Sequence, residues 1–82
     1  MRVFPNPVGG AATVALSLAG PERVRVSVVD VLGREVAVVH DGPVADGERI
    51  AVETAGWAPG VYLIRAAAAS GATATVALTV TR

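Results

Sequence analysis

Apolar residues recur at every second position through most of this chain, and that period constrains the fold more than any other feature. In "TVALSL" Val14, Leu16 and Leu18 share one face, with Thr13, Ala15 and Ser17 on the other. In "RVRVSVVD" Val24, Val26 and Val28 oppose Arg23, Arg25 and Ser27, and "REVAVV" continues the style with Val36 and Val38. In "ERIAVE" Ile50 and Val52 oppose Arg49, Ala51 and Glu53. In "VYLIRA" Tyr62, Ile64 and Ala66 oppose Val61, Leu63 and Arg65. In "TATVALTVT" Ala74, Val76, Leu78 and Val80 oppose Thr75, Ala77, Thr79 and Thr81. Each run reads as a half-buried strand. Turn signals separate the runs: Gly20-Pro21, Leu32-Gly33, Asp41-Gly42-Pro43, Asp46-Gly47, Pro59-Gly60 and Ser70-Gly71. The Ala66–Ala69 run continues a strand and ends at Ser70-Gly71. The reading is all-β: a small antiparallel β-sandwich of six strands, or seven if Arg2–Phe4 pairs. A closed barrel is the second choice.

A chain of 82 residues supports one small domain with a modest core. Seven basic against seven acidic residues give no formal net charge, which argues against a nucleic-acid footprint and a polybasic membrane patch. No apolar run reaches the ~20 residues that span a bilayer. Cysteine is absent, so no disulfide staples the domain. At the start, "VFPNPVGG" holds Asn6 between Pro5 and Pro7, with two glycines following. Proline offers no backbone N–H and a fixed φ, and biases Asn6 toward extended geometry. Residues 1–10 therefore read as a rigid, unpaired, extended lead-in from something larger, and 11–82 as the domain. The prolines stand where a signal peptide needs its apolar stretch, so an export signal would lie on a longer parent chain.

The residues offer little to reaction chemistry. His40 is the only imidazole and sits beside Asp41 in what reads as a solvated turn, too few ligands for zinc. Asp41, Asp46 and Glu48 lack the dense oxygen spacing of a calcium loop and read as turn chemistry. No serine sits in a nucleophile elbow, and the scattered glycines form no phosphate loop. Neither an enzyme, a cofactor, a metal nor a small-molecule substrate is expected. Trp57 and Tyr62 read as plugs of a small β core rather than a sugar platform. The expected core includes Leu16, Val26, Val28, Trp57, Tyr62, Ile64, Val76 and Leu78, with Trp57 largely buried between the sheets near Val52 and Ile64.

Three stretches carry more information together than singly. "PNP", Pro5 to Pro7, precedes the first strand of the domain. "VSVVDVLGREV", Val26 to Val36, reads as a hairpin in which Asp30 ends one strand, Gly33 supplies a positive φ and Arg34 starts the next. "WAPGVYLIR", Trp57 to Arg65, places a rigid Pro59 and a permissive Gly60, also with positive φ, before Tyr62. In this order, over nearly the whole chain, they resemble the C-terminal sorting domain of type IX (Por) secretion cargo in the Bacteroidetes group. The family motif falls here on Pro5, Asn6, Pro7, Asp30, Gly33, Arg34, Val36, Gly60, Tyr62 and Arg65. Trp57 stands where the family usually carries Leu, and Thr and Ala fill a last strand that often carries a basic residue.

The resemblance implies an immunoglobulin-like sandwich that labels an upstream cargo for export and performs no reaction. It implies folding in the periplasm, recognition by the outer-membrane translocon, removal by a sortase-type peptidase, and cargo at the cell surface or released. The exposed face of the last two strands is the expected recognition surface. The alternative is an immunoglobulin-like or fibronectin-like structural or adhesive spacer; carbohydrate binding through Trp57 and Tyr62 comes after it.

Overall fold

The computed structural model describes residues 1–81, which form seven strands and no helix. These are β1 (Arg2–Phe4), β2 (Ala11–Ala15), β3 (Glu22–Asp30), β4 (Glu35–Val44), β5 (Arg49–Glu53), β6 (Gly60–Ala68) and β7 (Thr73–Val80). They make two sheets, ordered β1-β2-β5 and β4-β3-β6-β7, with every neighbouring pair antiparallel. The arrangement is an open sandwich, not a closed barrel.

The period-two reading explains the core. Val14, Ile50 and Val52 on the small sheet face Val24, Val26, Val28, Ile64 and Leu78 on the large one, and all are buried. Burying a Val, Leu or Ile side chain contributes about 1.5–3 kcal/mol, so this cluster dominates stability. Leu16 lies just past the end of β2 yet stays buried. The backbone of Glu48 and Gly47 holds its N–H and carbonyl, and Asp46 accepts the Leu18 N–H at 2.9 Å. Thr54, one of the few buried polar residues, donates from both its backbone N–H and its hydroxyl to the Gly10 carbonyl.

Three expectations about the core and β4 need correction. Val36 and Val38 are exposed, at 46% and 44%. The β3–β4 register shifts between Val26 and Ser27 and again between Val28 and Val29. One extra residue in a strand reverses which alternate side chains face inward. Ala37 and Val39 consequently pack on the core in their place. The segment His40-Asp41-Gly42-Pro43 is no turn but the second half of β4, pairing with Arg23 to Val26. β4 is an edge strand, where the missing N–H of Pro43 leaves no central ladder bond unmade. Trp57 and Val76 are only half-buried. Trp57 sits in the segment before β6 and packs on the margin of the core rather than between the sheets.

The leading segment also differs from the unpaired lead-in expected of it. β1 pairs with β2 in the register Arg2↔Ala15 to Phe4↔Thr13. Both proline peptide bonds that follow, Phe4-Pro5 and Asn6-Pro7, are cis. Val8 is wholly buried and forms a parallel bridge with Val80. Residues ahead of Ala11 thus belong to the packed sandwich.

Candidate functional site

The hairpin between β3 and β4 is built around one carboxylate. Asp30 Oδ1 accepts the backbone N–H of Leu32 at 2.9 Å and of Arg34 at 3.0 Å, and Oδ2 accepts Arg34 Nε at 2.8 Å. Its own backbone closes the turn, the N–H donating to the Arg34 carbonyl and the carbonyl accepting from Gly33. Gly33 takes φ +83°, a conformation any β-branched residue would find strained. Short polar side chains commonly organise turns in this way. The Arg34 N–H, foremost among the causes, holds the Asp30 carboxyl below its ordinary value.

A depressed pKa makes this carboxylate a source of stability with a defined sign. The contribution is present above the unfolded-state pKa of ~4 and is lost as pH falls through the lower folded value. Asp30→Asn is therefore expected to melt below the wild type at pH 7. The gap should narrow by pH 3, and thermal unfolding at the two pH values checks it. An unchanged gap would mean that the charge on Asp30 does not support the turn.

The second motif turns at Pro59-Gly60, with φ +153° at Gly60. Tyr62 Oη donates to the Ala58 carbonyl at 2.6 Å, tying the turn to β6. The Trp57 and Tyr62 rings lie 5.1 Å apart at 48°. Two half-buried, tilted rings form no flat platform for a sugar ring. By register Tyr62 stands opposite Asp30, so the two turns meet at one end of the large sheet. Val36 and Arg34 share a depression there with Gly60 and Tyr62. Arg65, farther along β6, pairs in register with Ser27 and Thr75 and projects from the outer face.

Pro5, Asn6 and Pro7 lie elsewhere, along the free edge of β7. The Asn6 amide acts as a stand-in peptide group: Nδ2 donates to the Ala77 carbonyl at 2.8 Å and Oδ1 accepts the Thr79 N–H at 3.0 Å. The Val8 N–H then donates to the Thr79 carbonyl, and the Thr81 N–H donates to the Val8 carbonyl, each at 2.8 Å. An unpaired strand edge invites association with other chains, and here the leading segment covers part of one. The sequence signal was the Asn itself, a side chain able to donate and accept at once between two residues that cannot continue a ladder.

Asp41, Asp46 and Glu48 do not converge. Asp41 pairs with Arg23 at 3.5 Å, Asp46 clasps Leu18, and Glu48 accepts the Ala45 N–H at 3.3 Å. His40 Nε2 lies 3.2 Å from the Gly42 carbonyl within β4. The outer face of β6 and β7 is largely Thr and Ala, with Val61, Leu63 and Arg65 as its large side chains.

A family model described as a secretion system C-terminal sorting domain matches residues 2–80, from the first strand through the last. No curated protein and no solved structure matches this chain.

Proposed function

This chain belongs to the family of secretion system C-terminal sorting domains, and from that premise we propose how it serves as an address. It is a sorting signal for type IX secretion, and its family implies the secretion machinery and an upstream cargo as partners, with export toward the cell surface. In our reading the sandwich folds in the periplasm, and the outer-membrane translocon recognises its folded surface. A sortase-type peptidase then removes it, leaving the cargo on the surface or released. The domain itself performs no reaction. The observation that carries this reading is the family match over residues 2–80, which spans all seven strands. The structure gives it physical support: the three motifs of the sequence are a clasped hairpin, a tied turn and an edge cover, each serving a rigid fold rather than a reactive centre.

The test is a reporter bearing a signal peptide upstream and this chain as its tail. It should reach the surface of a host with the type IX machinery and stay inside the outer membrane of one lacking the translocon. Equal display in both hosts would instead support a structural spacer.

A further inference from the structure

We propose that the tip of the β3–β4 hairpin is the part of this domain that docks, by inserting Val31 and Leu32 into an uncharged, apolar pocket of the translocon protein that receives it. The proposal rests on the sorting function above and names the surface that would carry it out. Among the described residues the large exposed apolar side chains are Val31, Leu32, Val36, Val38 and Val61. Val31 and Leu32 are the most exposed, at 73% and 74%. Four of these five gather at one place. Val31, Leu32, Val36 and Val61 line one depression with Arg34 and Pro59. Clustered exposed apolar surface marks interaction sites, whereas single exposed residues do not.

Several features of the chain converge on this presentation. The Asp30 clasp fixes the tip with three side-chain hydrogen bonds. The irregular β3–β4 register aims Val36 outward when simple alternation would bury it. The Pro59-Gly60 turn brings Val61 alongside. A tip already held in place loses little conformational freedom on binding, which favours affinity.

Charge and size identify the occupant. The ionic groups at the depression, Asp30 and Arg34, pair with each other at 2.8 Å. The local charge is therefore balanced within the domain, which suits a neutral pocket and offers no attraction to an anionic lipid surface. A standard interface between two proteins draws on about 20–30 residues a side. Four clustered exposed side chains fall well short of that for a self-complementary dimer, but match the small anchor cluster that dominates a larger interface.

The experiment uses the same reporter with the paired substitutions Val31→Ser and Leu32→Ser, and separately Val31→Ile with Leu32→Met. The Ser pair should melt with the wild type, because both side chains are already in solvent, while exported reporter falls about tenfold or more. The Ile/Met pair should restore export. Leu32→Gln alone gives the same reading if the Ser pair proves less stable. Wild-type export by the folded Ser pair or by folded Leu32→Gln overturns the proposal. So does loss of export in the folded Ile/Met pair. A wild-type dimer in sedimentation that dissociates in the Ser pair would assign the tip to a second copy and overturn it as well. Flotation of the wild type, but not the Ser pair, with anionic vesicles would assign the tip to a membrane, again overturning it. Failure of the wild-type reporter itself to be exported would defeat the sorting function, and this surface with it. Normal wild-type export with an indifferent tip defeats only the surface.

Discussion

Removing everything from Thr73 onward is expected to leave a chain that does not fold and a reporter that is not exported. β7 contributes Leu78 and Val80, both buried, and supplies the partner groups for Asn6 and Val8. Its loss strips the edge of β6 along the whole register from Gly60 to Ala67. Two such side chains represent roughly 3–6 kcal/mol of burial. A domain of this length has a net stability of only about 4–12 kcal/mol, before counting the newly exposed faces of Ile64 and Val8. The expected result is a circular-dichroism melt without a cooperative transition, and reporter retained inside the outer membrane of a competent host. A cooperative melt together with normal surface display would show that β7 is dispensable for both folding and sorting.

Ile64→Ala should be the most damaging single truncation. Ile64 is wholly buried at the centre of β6, in register between Val28 on β3 and Val76 on β7. Replacing a buried Ile by Ala removes its transfer free energy and leaves a cavity, at a cost of about 2–5 kcal/mol. For a domain of this size that lowers Tm by about 10–30 °C. Leu63→Ala, the neighbouring half-buried side chain on the opposite face, should cost much less. Similar losses from both would mean that the sheet does not have the inner and outer faces described here.

The alternation that reveals a strand also reveals its inner face, provided nothing interrupts the count. Val24, Val26 and Val28 obey it, as do Ile50, Val52, Ile64 and Leu78. Val36 and Val38 do not, because the shifted β3–β4 register reverses parity and no residue in "REVAVV" marks where the extra residue falls. The Asp41-Gly42-Pro43 triplet has the composition of a turn. Only the position of β4 at a sheet edge, a property of the tertiary arrangement, permits it to be strand. Trp57 misled through size: a large aromatic invites burial, but its place before Gly60 leaves it at the margin, against Tyr62. Within the motifs the Asp30 hairpin was legible because its chemistry is local, spanning five residues. The task of Asn6 was not, because its partners lie more than seventy positions away. Convergence of the hairpin tip with the Pro59-Gly60 turn likewise depends on how β3 and β6 pair.

The parallel alignment of Val8 with Val80 also fixes how this domain would bear tension. Suppose a pull acts between the chain upstream of Asn6 and the far end of β7. The two aligned segments are then drawn in opposite directions along their length, and the hydrogen bonds between Asn6 or Val8 and residues 77 to 81 are loaded together. Bonds loaded in shear break as a group, whereas a hairpin pulled from its open end unzips one bond at a time. Once β1 has peeled away, the segment of a few residues around Asn6 acts as a mechanical latch, and the sandwich can stay intact while whatever is attached to it is dragged or held back.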